Sequence, residues 1–179
     1  MLAICGIIDV QGFINKNTFV PRELTIIGKD FYYYREIDTD IYPDNYNFKD
    51  KKTNYVISKY KTGLKFHLSN DKKKQCLTQN NVHEIIWKAY DILKEQKNDI
   101  FAIKNKQLGT YLQSIGIPFI ELYNCPSILS LKRKYPEILF SCSNHIIKGS
   151  CADYKCKLLY KWLQSTSNRN NHQQMYCNF

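Results

Sequence analysis

Cys142, His145 and Cys151 lie within ten residues at C-x2-H-x5-C spacing, and Ala152 follows directly. Thiolate and imidazole are the donors a structural zinc prefers, and two side chains on one short loop can close on a single ion. A closed tetrahedral site needs a fourth donor. Cys125, placed after an apolar run and before Pro126, is the expected fourth ligand, with His83 and Glu121 as alternatives. The competing reading is two buried thiols beside a surface histidine, because this spacing supplies one close pair and not two. The chain has no Gly-rich phosphate loop and no nucleophile elbow, so this loop is its most distinctive chemistry.

Other residues invite a functional reading beside a plainer one. Asp9 interrupts the apolar run Ile7–Val10, where a charge has a desolvation cost. It reads either as a metal ligand or as the residue that closes a strand before a turn at Gly12. Gln11 can hydrogen-bond but is a poor ligand for a hard divalent ion. Lys104 and Lys106, the Lys132-Arg133-Lys134 run and Lys72-Lys73-Lys74 could form a phosphate-binding track, or could be solvated charge on loops and helix faces. The Tyr32-Tyr33-Tyr34 run could stack bases, but alternate strand residues face opposite sides, which sends part of it to the core. Trp87 and Trp162 fall within helical patterns and are expected in the core.

The 179 residues are enough for one domain with a real core, and 44% hydrophobic and 14% aromatic content fit a folded chain. Charge is unevenly spread. Residues 1–50 hold 5 Lys/Arg against 8 Asp/Glu, and residues 51–179 hold 21 against 8, for a net charge of +10. Such a surplus favours a polyanionic partner, most often nucleic acid, although an AT-rich genome would enrich the same residues. The apolar start has no basic leader, and no apolar run reaches the length of a membrane span, so a nuclear or cytoplasmic protein with no membrane partner is expected. Seven irregularly spaced cysteines read as reduced thiols rather than as a disulfide framework.

These residues must be positioned by a small set of elements. Leu2–Phe13, Phe19–Ile27 and Phe31–Ile37 read as three strands joined by short turns, hence an antiparallel meander. Asp38–Asn81 is polar and Lys-rich, with loops and at most one short strand or helix expected. Val82–Lys97 has helical periodicity, Asp99–Ile103 reads as a buried strand, and a short helix around Leu108–Ile115 stops at Gly116. Phe119–Tyr123 is another strand, Ser127–Tyr135 a short basic helix, and Cys151–Gln164 the last long helix. The order predicts an α/β fold over 1–164: an RNase H-like mixed sheet, antiparallel meander plus parallel strands, flanked by helices. Residues 165–179 are expected to form a flexible polar tail.

The element order resembles the DEDD-type 3′–5′ exonucleases of the RNase H-like fold. Ile7-Ile8-Asp9-Val10-Gln11-Gly12-Phe13 is similar to their first motif, Ile103-Lys104-Asn105 through Tyr111-Leu112 to the second, and His145 through Cys151-Ala152 to the third. Gln11 stands where the first motif has Glu. No acid lies between Asp99 and Glu121, and Cys151 replaces the Asp of the third motif, with Asp153 close by. Two-metal phosphoryl transfer needs several carboxylates around its ions. The resemblance therefore implies a fold that has kept its sheet and lost its metal site, with Asp9, Gln11 and Asp153 as remnants. A degenerate exonuclease fold with a C…H…C-A pattern before its last helix resembles the Maelstrom domain. The leading hairpin is similar to uncharacterised invertebrate and virus-like proteins with the same cysteine pattern.

Together these readings lead to three expectations. The first is a binder of single-stranded nucleic acid, RNA rather than DNA, carrying a structural zinc. The second is an active nuclease using Asp9, His145 and Asp153. The third is a protein-interaction module whose charge only confers solubility.

Overall fold

The computed structural model describes residues 3–38, 46–65, 77–78, 81–95, 99–140, 145 and 151–170, the last four without side-chain detail. Strand β1 (Ile4–Asn15) turns through Lys16-Asn17 into β2 (Thr18–Gly28), which turns through Lys29-Asp30 into β3 (Phe31–Asp38). Lys16 and Asn17 both have positive φ, 49° and 64°, as a two-residue hairpin turn requires. The β1–β2 register shifts between Gln11 and Gly12. A Cβ at Gly12 would sit 2.0 Å from the Val20 carbonyl oxygen, so this bulge accepts glycine alone.

Asp9 pairs with Thr25 well inside β1, and the strand runs on past the bulge. The strand-closing reading of Asp9 is therefore replaced by a buried mid-strand carboxyl group.

Among the described residues the sheet has six strands in the order β4-β3-β2-β1-β5-β6. The meander is antiparallel; β5 (Ile100–Ile103) lies parallel to β1, β6 (Phe119–Glu121) parallel to β5, and the two-residue β4 (Leu77–Thr78) parallel to β3. The fold is thus α/β with a mixed sheet. Its described helices are α1 (Phe48–Val56), α2 (Val82–Leu93), α3 (Lys106–Ser114), α4 (Ile128–Lys134) and α5 (Ala152–Asn170), with a π-helical segment, Ile57–Thr62, continuing α1. No described helix is long and apolar enough to cross a membrane.

Strand alternation gives a core on each face of the sheet, and a smaller cluster of Phe13, Tyr46 and Leu64 forms where the 46–64 stretch meets β1. On one face, Ile8, Val10, Leu24 and Ile26 meet Ile86 and Leu93 of α2 and Leu108 and Leu112 of α3. Each such side chain contributes about 1.5–3 kcal/mol on full burial. On the other face, Ile7, Ile27 and Ala102 meet Leu131 of α4 and Cys156, Leu158 and Leu159 of α5. By the same alternation Asp9 and Gln11 of β1, and Glu23 and Thr25 of β2, face α5.

Several boundaries differ from those read in the sequence. The polar stretch 38–81 holds α1, the π-helical segment and β4. Helix α2 ends at Leu93 rather than Lys97. Helix α5 continues past Gln164 to Asn170; the Ser165 and Thr166 hydroxyls bond back to the Trp162 carbonyl, and Ser165 also meets the Tyr135 hydroxyl at 2.7 Å. Trp87 is 38% exposed, its indole N–H donating to the Ile115 carbonyl, whereas Trp162 packs half-buried on the α5-side core.

Candidate metal centre

Glu23 lies on the α5 face of β2 and is almost fully buried. An ionised carboxylate there needs partners, and three converge on it. His145 Nε2 lies 3.1 Å from Glu23 Oε2 and 3.2 Å from Oε1. The Cys151 thiol donates to Oε1 at 3.0 Å, and the Ala152 backbone N–H, in the first turn of α5, donates to Oε2 at 3.0 Å. The positive end of the helix thus adds to the stabilisation of the carboxylate.

The π-helical segment sets the histidine. It ends at Gly63, in the left-handed region with φ 69°. Leu64 then forms a β-bridge with His145, and the Thr62 carbonyl lies 2.6 Å from His145 Nδ1. A carbonyl can only accept, so Nδ1 carries a proton and Nε2 is the nitrogen aimed at the cluster. This is how a metal-ligating imidazole is oriented, with a fixed tautomer and its second nitrogen turned inward.

Glu23, His145 and Cys151 are all buried, and their ligand atoms lie within 4.8 Å of one another. Tetrahedral bonds of ~2.0–2.3 Å place donors roughly 3.3–3.8 Å apart, so a small outward adjustment would admit an ion. A carboxylate oxygen, an imidazole nitrogen and a sulfur form a zinc-type donor set. With no ion, Nε2 and Glu23 share a hydrogen bond only when the ring or the carboxyl group carries a proton between them. With an ion, the Nε2 lone pair, the thiolate and the carboxylate all gain a common partner.

A second polar group lies beside this cluster. Asp9 is buried, with its carboxyl pushed above its ordinary value of 3.8, first by burial and only partly offset by Lys155 and Gln11. Gln11 Nε2 is 3.5 Å from Asp9 Oδ2. The Cys156 thiol is pushed well up, first by burial and then by the charges of Asp9, Asp153 and Glu23. Asp153 accepts the Tyr32 hydroxyl at 2.8 Å and the Lys157 ammonium at 2.7 Å. Glu36, opposite Glu23 on β3, receives the Tyr34 hydroxyl at 3.4 Å. Among the described residues neither Asp9 nor Asp153 joins a cluster of three potential metal donors.

Of the expected zinc ligands, His145 and Cys151 come together, and Cys142 lies outside the described residues. Cys125 is not part of the cluster: it follows β6, half-buried, with its thiol 3.5 Å from the Pro126 carbonyl. His83 lies against the Tyr111 ring on the α3 side of the sheet, and Glu121 ends β6. The residue that sequence reading missed is Glu23. Its one signal was a charge in an apolar strand, the same argument that drew attention to Asp9.

Among the expected phosphate contacts, Lys104 turns its ammonium onto the carbonyls of Cys125 and Pro126. Lys106 opens α3, and Lys132, Arg133 and Lys134 close α4; these four are exposed. Of the three tyrosines, Tyr33 packs on the α2–α3 side and Tyr34 on the α5 side, while Tyr32 is 54% exposed. No protein-family model matches this chain, and no curated protein or solved structure matches it either.

Proposed function

We propose that this chain is a catalytically degenerate RNase H-like domain that binds single-stranded nucleic acid, RNA first, and that Glu23, His145 and Cys151 hold a structural zinc. The observation that carries this reading is the buried Glu23 carboxylate facing an imidazole and a thiol instead of further carboxylates. The strand order supports the fold assignment: an antiparallel meander whose first strand continues into parallel β5 and β6. Two-metal phosphoryl transfer needs carboxylates gathered around the ions. Here Asp153 is engaged by Tyr32 and Lys157, and burial pushes Asp9 toward its neutral form.

Zinc would neutralise the thiolate and carboxylate and fasten α5 to β2 and to the 57–64 segment. Cys142, three residues before His145 in sequence, is the donor the chain offers to complete the set. Lys106, Lys132, Arg133 and Lys134 remain available for phosphate contact.

The test is incubation of the purified chain with end-labelled single-stranded RNA and DNA, with magnesium or manganese, over a range of salt. The expected result is intact substrate and binding that weakens with salt at a log–log slope of about −0.7 per phosphate neutralised. Degradation that Asp9→Asn abolishes would favour the nuclease instead. No binding at low salt would leave the interaction module as the better account.

A further inference from the structure

Helix α1 and the π-helical segment after it have two unlike sides. Asp50, Asn54 and Ser58, at steps of four, are buried. They fasten the segment to its neighbours: Asn54 bonds both the N–H and the carbonyl of Ile14, Asp50 takes the Lys16 N–H, and Ser58 donates to the Leu64 carbonyl. Phe48, Lys52, Tyr55 and Lys59, at steps of four, three and four, lie on the other side, and all are exposed. Phe48 is 84% exposed, Tyr55 51% and the adjacent Tyr60 64%.

Residues 48–62 include five lysines and one acid. That acid, Asp50, is buried and occupied, so the outward side shows cations without a compensating carboxylate. Among the described residues none of the five lysines is ion-paired. The Lys59 ammonium bonds the Tyr55 hydroxyl at 2.8 Å and lies 5.2 and 5.1 Å from the Tyr55 and Tyr60 ring centres. Exposed rings cost free energy in water, and a row of them interleaved with lysines has the make-up of a single-strand binding surface: rings stack bases and ammonium groups meet phosphates.

We infer that the exposed side of 48–60, centred on Phe48, Lys52, Tyr55, Lys59 and Tyr60, is a binding surface for single-stranded nucleic acid. This rests on the functional reading above and places its main contact on the insert between β3 and β4. Ring stacking needs unpaired bases, so the surface selects a single strand over a duplex. It reads backbone charge and base faces, not base edges, and so has little sequence preference.

The experiment compares wild type, Lys52→Ala/Lys59→Ala and Phe48→Ala/Tyr55→Ala by titration of a labelled single-stranded RNA at several salt concentrations. A matched duplex and a strand of abasic sites are further probes. All four positions are exposed, and circular dichroism and thermal melting confirm that each variant is folded. The lysine variant should lose affinity and lower the salt slope by about 1.4, if both side chains meet phosphates. The aromatic variant should weaken binding at least about fivefold with an unchanged slope, the lower end of the range for one stacked base. On the abasic strand, wild type and aromatic variant should bind alike. Wild-type binding to RNA that neither variant weakens would overturn this surface while sparing the functional reading. No wild-type binding to RNA would overturn both. Sedimentation with phosphatidylserine-containing vesicles, lost in the aromatic variant and accompanied by no RNA binding, would reassign the patch to an anionic membrane.

Discussion

Glu23 divides two oxygens among an imidazole nitrogen, a thiol and a backbone N–H. Removing it strands His145 and Cys151 in a buried site without the charge that satisfies them. Breaking one side of a buried pair costs about 3–5 kcal/mol, and each kcal/mol lowers the melting temperature of a chain this size by roughly 2–4 °C. Glu23→Ala should therefore melt well below wild type in a thermal scan, and a melt within 2 °C of wild type would remove Glu23 from the account. Asp9 yields a prediction of opposite sign. Its folded-state pKa lies above the ordinary 3.8, so the folded chain binds this proton more tightly than the unfolded one. Stability from this group is fully present below that ordinary value and is lost as pH rises through the folded value. Asp9→Asn should remove the loss and raise the melting temperature at pH 7, with a flatter profile above pH 4. A variant that melts lower at pH 7 would mean that the charged form is held by a partner, such as an ion. His145 and Cys151 could be read from sequence because they are close together in it. Glu23, 122 residues before His145, comes to them only through the sheet and helix packing, and no local spacing could announce it.

The elements that hydrophobic periodicity can detect were the ones legible in sequence. The meander, α2, β5, α3 and β6 each bury an apolar stripe or run, and they appear where the pattern put them to within a few residues. Helix α1 was hidden because its buried side is polar: Asp50, Asn54 and Ser58 dock it through hydrogen bonds, with apolar contact from Ile57 in the π-helical segment that follows. Asn54 does for Ile14 what a neighbouring strand would do, filling both its backbone donor and its acceptor. Asn54→Leu should leave both groups unpaired in a partly buried place and cost about 2–6 kcal/mol, taking a penalty of ~1–3 kcal/mol for each. Chemical denaturation would measure it, and a loss under about 0.5 kcal/mol, the range of ordinary surface changes, would show that water replaces the side chain. The end of α5 was hidden for a related reason: its last described side chains are serine and threonine, which give no apolar period, and their hydroxyls bond to the preceding turn.

Across the whole molecule, the two faces of the sheet do different work. The α2–α3 face is an apolar core, while the α5 face mixes apolar packing with Asp9, Glu23, Asp153 and Cys156 around the candidate ion site. Three separate parts of the chain meet there: β2, the 57–64 segment and the start of α5. An ion at this junction would contribute folding free energy directly, since the unfolded chain has no preformed site. The cations of α1, the π-helical segment and α4 are exposed, whereas the candidate ion site is buried, so the side chains that stabilise the fold and those that would meet nucleic acid are different ones. Elemental analysis of protein purified without chelator decides whether the metal centre holds an ion. Close to one zinc per chain is expected in wild type and in Cys125→Ser, and little or none in Glu23→Ala, His145→Ala or Cys151→Ser. Wild-type protein that is folded, free of zinc and unchanged in melting temperature by added zinc or chelator would contradict it.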